Sequence, residues 1–185
     1  MSTPLRHLPN LISGLRVVLV GPIIWALLQQ RFELAIWLFV VAGVSDGVDG
    51  YLAKRFGWTS RLGGILDALA DKFLLVSTFV CLWWLGVFPA WLVLLVILRD
   101  LVIVVGGVVY NARVEKVMPA PSPISKLNTL LQIVLAALGV VHLGLAPMPQ
   151  WLLQGLVYAI VLTVLFSGIG YVREWSRRAA AHARR

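Results

Sequence analysis

The chain has 185 residues, of which 60% are hydrophobic and 13% are charged, and its mean hydropathy is +0.90. Soluble domains carry about 25% charged residues, so this composition excludes an ordinary soluble domain, and the apolar fraction excludes disorder. The 16 basic and 8 acidic residues give a net charge of +8. In so apolar a chain, a basic excess indicates membrane orientation rather than nucleic-acid binding. We expect a membrane protein with no nucleic-acid partner.

Six apolar segments follow one another along the chain, each close to the roughly 20 residues that a transmembrane helix needs. They are 11–30, 32–54, 63–85, 89–110, 125–145 and 149–171. The first is too long for a signal-peptide core and is expected to be retained. The sequence therefore predicts an all-α integral membrane bundle of six transmembrane helices. These spans leave no room for a second soluble domain, so residues 1–185 are expected to form one domain.

The basic residues predict the orientation of this bundle. With six spans, thirteen of the 16 Lys and Arg residues fall on one side, Arg31 falls on the other, and Lys72 and Arg99 lie inside spans. The positive-inside rule then places both termini in the cytoplasm. The basic C-terminal tail, 173–185, is expected to be a helix end attracted to anionic lipid. Six tryptophans gather towards the opposite interface: Trp25, Trp37, Trp83, Trp84, Trp91 and Trp151.

Half of the acidic residues lie at the predicted cytoplasmic ends of the second and third spans: Asp46, Asp49, Asp67 and Asp71. Their spacings of three and four residues place each pair on one helix face. The short turn between the spans makes them antiparallel neighbours, so the two pairs are expected to meet.

Four ionised carboxylates in a pocket of low dielectric repel one another. They must be protonated, paired with bases or neutralised by metal. Two divalent cations would balance the four charges, and oxygen ligands suit Mg²⁺, Mn²⁺ or Ca²⁺ better than zinc. Two such cations form the clamp used for phosphoryl displacement. Gly50, Ala53 and Gly63 keep bulk away from the carboxylates, either for a ligand head group or for close helix packing.

The pattern Asp46-x-x-Asp49-Gly50-x-x-Ala53, followed by Gly63-x-x-x-Asp67-x-x-x-Asp71, resembles the signature of the CDP-alcohol phosphatidyltransferases. The family has arginine directly after the alanine, where this chain has Lys54. Lysine keeps the charge but loses the two-pronged fork that suits phosphate, and the neighbouring Arg55 is a candidate to compensate.

This resemblance implies six helices, a homodimer and a site for two divalent cations, Mg²⁺ or Mn²⁺, on the four aspartates. It also implies that Asp71 is the general base and that CDP-diacylglycerol is the donor. The family's donor-binding positions correspond here to Asp49, Gly50, Ala53, Lys54 and Gly63. The expected location is the cell inner (plasma) membrane, with the active site facing the cytoplasm.

Asn10, Ser13 and Arg16 recur every three residues at the start of the first span. In the family, such a stripe contributes to the nucleotide-lipid site. The alternative is that Asn10 caps the helix and Arg16 snorkels to the interface.

A second group of polar residues lies in the fourth and fifth spans. Arg99 and Asp100 project about 100° apart on a helix, since 3.6 residues make one turn, and are not expected to neutralise each other. Arg99 either forms a salt bridge between helices or binds the acceptor's phosphate. Lys126 lies in a polar patch, Ser125 to Thr129 with Gln132, and either meets an anionic acceptor or anchors the interface.

The acceptor follows from resemblance alone. Leu8 to Ser13 and Gly50 to Ala53 are similar to the branch with phosphatidylglycerophosphate synthases and CDP-diacylglycerol-dependent cardiolipin synthases. Arg99-Asp100 and the stretch from Ser125 to Thr129 are similar to the cardiolipin type. We expect phosphatidylglycerol to be the acceptor, giving cardiolipin and CMP, with glycerol 3-phosphate as the alternative.

A different class of protein, a cation transporter with an intramembrane aspartate site, also places carboxylates in transmembrane helices. All four aspartates lie near the cytoplasmic ends of their spans, and the sequence has no matching acidic set along an exit path. Both observations favour the enzyme.

Overall fold

A computed structural model of the chain describes residues 8–56, 61–113 and 123–182. These residues form six α-helices and no strand, which confirms the all-α prediction. The helices are α1 (Leu8–Leu28), α2 (Phe32–Phe56), α3 (Arg61–Trp84), α4 (Ala90–Arg113), α5 (Pro123–Gly144) and α6 (Gln150–His182). Each predicted span coincides with one helix. The last helix continues beyond the predicted end at 171, so most of the basic tail is a helical extension.

Two of the helix ends close with the same hydrogen-bond pattern. After α1, Gln30 takes a positive φ of 57°, and the Arg31 amide donates to the Ala26 carbonyl at 2.8 Å. After α3, Gly86 takes a φ of 78°, and the Val87 amide donates to the Leu82 carbonyl at 2.8 Å. A left-handed residue followed by this backward bond is the Schellman motif, which satisfies the last carbonyls of a helix.

The helices divide into two compact units. The first comprises the described residues up to Phe88 together with Ala136–Met148, and the second comprises those of Pro89–Leu135 and from Pro149 onwards. In the first unit α1 packs against both α2 and α3, and in the second α4 packs against α6. The first half of α5 thus belongs to the second unit and the end of α5 to the first.

The core of the first unit is apolar and tightly packed. Ile23 and Leu27 of α1 are buried, as are Phe79 and Leu82 of α3. The end of α5 approaches α2 so closely that a Cβ at Gly144 would lie 2.5 Å from the Cβ of Phe32. Only glycine permits this approach between the two helices.

Many of the large apolar side chains are exposed while several charged and polar ones are buried. On α4, for example, Leu94, Leu98 and Leu101 are exposed whereas Arg99 and Asp100 are buried. A water-soluble monomer rarely exposes so much apolar surface. The six tryptophans named above are also exposed, as expected of side chains at a lipid interface.

Among the described residues, two helical segments are long and apolar enough to cross a membrane, Pro123–Gly144 and Gln150–Gly168. Gly14–Leu28 is a shorter apolar helical segment. Six transmembrane spans and cytoplasmic termini stay predictions.

Candidate active site

Arg16 brings together two of the predicted metal-binding aspartates. Its Nη2 lies 2.9 Å from Oδ1 of Asp46 on α2, and its Nη1 donates to Oδ1 of Asp71 on α3. Because α1 packs against both helices, one guanidinium reaches both carboxylates. One member of each predicted aspartate pair therefore lies at the same guanidinium, whereas direct packing of the second span on the third stays a prediction.

The three side chains differ sharply in exposure. Arg16 is 1% exposed, whereas Asp46 and Asp71 are each 44% exposed. The guanidinium therefore forms the buried side of the cluster, and the carboxylates are open on the other side. Arg16 does not snorkel, because its charge has carboxylate partners inside the first unit. Asn10 lies within the first turn of α1, which begins at Leu8, rather than at its cap.

The other signature residues are placed by their backbone only. Asp49, Ala53 and Lys54 lie on α2, and Gly63 and Asp67 lie on α3. Their side chains, like those of Asn10 and Ser13, lie outside the part of the chain that the structure describes. A Cβ built on Gly50 meets no described atom within 4 Å. Contact between the described helices therefore does not require glycine at this position.

Among the side chains that the structure describes, no group of three or more His, Cys, Asp or Glu residues is arranged to hold a metal ion. Of the four predicted ligands, only Asp46 and Asp71 have described side chains, so the full quartet stays a prediction. The pair itself fits a hard divalent cation, because it supplies carboxylate oxygens that are partly exposed and converge from two helices.

Arg99 and Asp100 correct one expectation from the sequence. Arg99 Nη1 lies 2.6 Å from Asp100 Oδ1, and both side chains are buried. Their Cβ atoms diverge on the helix, but the long arginine side chain folds back to the adjacent carboxylate. Burial makes this favourable, because an unpaired charge is costly at low dielectric. The observed ion pair thus lies within α4 rather than between helices.

Arg99 also connects α4 to the start of α5. Its Nη2 donates to the side-chain hydroxyl of Ser125. Farther along α5, Asn128 Oδ1 accepts a hydrogen bond of 2.8 Å from Thr163 of α6. Gln132 is buried on the same face of α5, whereas Lys126 is exposed. The interior of the second unit therefore contains a polar cluster beside apolar core residues such as Leu92 and Val96.

In this stretch of α5, Lys126 is the residue with a functional role predicted from the sequence, and it lies off the buried face. The signal for the others is the spacing of Ser125, Asn128 and Gln132. Steps of three and four residues place polar side chains on a single face of an otherwise apolar helix.

Comparison with known proteins supports the resemblance. The family model for CDP-alcohol phosphatidyltransferase matches residues 6–167. The chain is 32% identical to a probable cardiolipin synthase (CMP-forming) of Drosophila melanogaster, over 89% of this chain and 56% of that protein. It is 35% identical to a cardiolipin synthase (CMP-forming) of Streptomyces coelicolor, over 53% of this chain and 48% of that protein. It is 32% identical to a probable phosphatidylglycerophosphate synthase of Mycobacterium tuberculosis, over 91% of this chain and 81% of that protein.

The chain belongs to the CDP-alcohol phosphatidyltransferase family, whose substrates are a CDP-alcohol and an alcohol acceptor. Its relatives include proteins named as cardiolipin synthases and as phosphatidylglycerophosphate synthases. Membership is consistent with an enzyme. The chain spans about half the length of the two cardiolipin synthases described above.

Proposed function

We propose that the chain is a membrane enzyme that transfers the phosphatidyl group of CDP-diacylglycerol to phosphatidylglycerol, giving cardiolipin and CMP. The observation that carries this proposal is the convergence of Asp46 and Asp71 on the buried Arg16. It joins the two halves of the family signature at one place in the first unit. Relatives named as cardiolipin synthases favour phosphatidylglycerol as the acceptor.

The cofactors in this proposal are two divalent cations, Mg²⁺ or Mn²⁺, with Asp46, Asp49, Asp67 and Asp71 as ligands. When bound, they would supply Lewis-acid polarisation of the diphosphate and stabilise the negative charge of the departing CMP. The partly exposed carboxylates of Asp46 and Asp71 are suitable donors for such ions.

The chain's own residues position the donor and move one proton. Arg16, Asn10 and Ser13 bind the nucleotide-lipid together with the small residues Gly50, Ala53 and Gly63, with Asp49, and with Lys54. The acceptor's hydroxyl oxygen forms a new bond to the phosphorus on the lipid side of the diphosphate. The bond from this phosphorus to the bridging oxygen breaks, and CMP leaves with the electron pair. Asp71 takes the hydroxyl proton as the general base.

The acceptor side of the reaction is assigned to Arg99 and Lys126. Lys126 is exposed near the start of α5, where an ammonium group attracts an anionic acceptor. The enzyme is proposed to be a homodimer in the inner (plasma) membrane, with its active site facing the cytoplasm. The second candidate acceptor is glycerol 3-phosphate, which the relative named as a probable phosphatidylglycerophosphate synthase favours.

The release of CMP by the purified chain tests this proposal. The chain is incubated with CDP-diacylglycerol and Mg²⁺ or Mn²⁺, and with either phosphatidylglycerol or glycerol 3-phosphate. We expect release with phosphatidylglycerol, its loss on chelation, and its recovery when Mg²⁺ or Mn²⁺ is restored. Release with glycerol 3-phosphate alone would establish the second candidate. No release with any alcohol acceptor would contradict an enzyme of this class.

A further inference from the structure

Three hydrogen-bond donors in the interior of the second unit have no partner among the described residues. They are Arg99 Nε on α4, and Asn128 Nδ2 and Gln132 Nε2 on α5. Asn128 is 0% exposed and Gln132 is 1% exposed, so solvent water does not reach their amides. We call these three residues the donor row.

An unpartnered buried donor is unfavourable, because it loses its bonds to water and gains none in the protein. Native proteins seldom leave such groups unpaired, and each case calls for an explanation. A leucine at position 132 would occupy the same buried position without this cost. The donor row therefore indicates a ligand that supplies hydrogen-bond acceptors.

The charges around the donor row indicate which hydrogen-bond-accepting atoms the ligand supplies. Arg99 already has Asp100 as a counter-ion, at 2.6 Å, and also contacts Ser125. The amides of Asn128 and Gln132 are neutral. Nothing in the amide part of the row requires an anion, so uncharged oxygen atoms such as carbonyls fit it best.

The position of the amides along α5 indicates which part of a ligand supplies these oxygen atoms. Asn128 and Gln132 follow Ser125 by three and seven residues on a helix that is long and apolar enough to cross a membrane. At 1.5 Å per residue, they lie roughly 4.5 and 10.5 Å farther along the helix than Ser125. At such distances from a phosphate group bound near Ser125, the oxygens of a diacyl phospholipid are the ester carbonyls of its two acyl chains.

We propose that Asn128 and Gln132 donate hydrogen bonds to the ester carbonyls of a diacyl phospholipid acceptor, whose phosphate lies beside Arg99 and Ser125. This inference rests on the proposed function and specifies its substrate class. The acceptor alcohol is itself a diacyl lipid, because a water-soluble alcohol phosphate has no acyl carbonyl to place beside the amides.

Ester-linked and ether-linked phosphatidylglycerol provide the test. They share the head group and the chains, but the dialkyl ether lipid lacks the carbonyl oxygens. The purified full chain is assayed for CMP release over a range of each acceptor, and thermal stabilisation by each lipid is measured without CDP-diacylglycerol. Two hydrogen bonds of ordinary strength predict that the wild type has about a tenfold lower KM for the ester lipid than for the ether lipid. They also predict that about tenfold less of the ester lipid gives the same thermal stabilisation.

Gln132→Met is the informative variant, because it removes one unpartnered donor while nearly keeping the side-chain volume. We expect the preference for the ester lipid to fall to about threefold, through a higher KM for phosphatidylglycerol with little change in kcat. Gln154→Met, at an exposed position of α6 in the same unit, makes the same chemical change and should keep the full preference.

If the wild type uses both lipids equally well and Gln132→Met behaves like it, the carbonyl assignment is wrong while the transferase activity stands. If neither lipid gives CMP but the ester lipid still stabilises the chain more, the carbonyl site stands and the proposed reaction fails. A preference seen only between ester and ether forms of CDP-diacylglycerol would assign the row to the donor and overturn the proposal. If Gln132→Met does not fold, the comparison in the wild type alone decides.

Discussion

Arg16 is the side chain on which the candidate active site depends, because it contacts carboxylates from two other helices. A buried charged side chain is costly unless it is paired. Asp46 and Asp71 provide the opposite charges, and the planar guanidinium fork can address both at once. The same contacts hold the first unit together and set the place of the predicted base.

Replacing Arg16 by methionine should therefore weaken both folding and donor binding. Removing one partner of a fully buried ion pair costs about 3–5 kcal/mol. Since these carboxylates are partly exposed, we expect a loss of about 1–3 kcal/mol. In both stability and donor binding, Arg16→Lys should be intermediate between Arg16→Met and the wild type, because one ammonium group spans the two carboxylates less well than the guanidinium does. Thermal unfolding in detergent and binding of CDP-diacylglycerol measure the two effects.

Arg31 supplies the matched control for this substitution. It is exposed and lies over the ring of Trp25, 5.2 Å from its centroid. An exposed cation–π contact is worth about 0.5–1 kcal/mol, so Arg31→Met should have a smaller effect on stability and none on donor binding. Equal loss of donor binding in both variants would contradict the role given to Arg16.

Asp71→Asn tests the general base. The amide keeps the size of the side chain but cannot take the acceptor's proton, so we expect CMP release to stop while some binding of CDP-diacylglycerol persists. Glu33→Gln makes the same change at an exposed position near the start of α2 and should leave CMP release unchanged. Turnover by Asp71→Asn near the wild-type rate would exclude Asp71 as the base.

The spacing of charged residues predicted which helix faces they occupy but not where their side chains end. Helical periodicity and a short connection predict that Asp46 and Asp71 lie near each other, and the structure places both at the guanidinium of Arg16. The ion pair between Arg99 and Asp100 does not follow from periodicity, because a long flexible side chain can reach a neighbour that its Cβ faces away from. The separation of backbone directions therefore does not exclude contact between the charged groups.

At the scale of helices, the sequence predicted where each helix lies better than how it ends. Gly86 is recognisable as a helix stop, since glycine adopts a positive φ without strain. Gln30 takes the equivalent position after α1 with a φ of 57°, and glutamine is not a residue type that predicts a positive φ. Polar Gln29 and Arg31 mark a break in the apolar pattern, but the backward hydrogen bonds define the turn.

The approach of α5 to α2 gives a prediction about packing between helices. In Gly144→Ala the new Cβ would lie 2.5 Å from Phe32 Cβ and 3.2 Å from its carbonyl carbon. These atoms belong to or adjoin the backbone and cannot move aside alone, so we expect a loss of about 1–3 kcal/mol. Thermal unfolding in detergent measures it.

Gly155→Ala on α6 is the control, because a Cβ there meets no described atom within 4 Å. Alanine favours a helix over glycine by about 0.5–1 kcal/mol, so this variant should be as stable as the wild type or more so. If both variants destabilise equally, close packing at Gly144 is not the cause.

For the molecule as a whole, the distribution of side chains favours a membrane over water. Exposed leucines on α4 accompany a buried Arg99 and Asp100, and the buried amide nitrogens of Asn128 and Gln132 have no hydrogen-bond partner among the described residues. Composition alone predicted the membrane, because so few charges cannot cover a water-soluble surface. Which polar groups would be buried together depends on tertiary packing, which the one-dimensional pattern does not specify.

The predicted orientation can be tested with single cysteines, since Cys81 is the one cysteine of the chain. Cys81→Ala removes a buried thiol and gives a background that should keep CMP release and resist labelling. On it, Gln29→Cys marks the loop after α1, whereas Ser2→Cys and Ala183→Cys mark the two ends. With six spans and cytoplasmic ends, a membrane-impermeant maleimide should label position 29 in intact spheroplasts. It should reach positions 2 and 183 only after permeabilisation.

This result is expected because Arg31 is the only basic residue predicted on the outer side, against thirteen on the cytoplasmic side. Labelling of positions 2 and 183 on opposite sides would require an odd number of spans. Labelling of position 29 only after permeabilisation, with both ends reached in intact spheroplasts, would instead invert the bundle. Since the aspartates lie at the same predicted level as the termini, inversion would also place the candidate active site outside the cell.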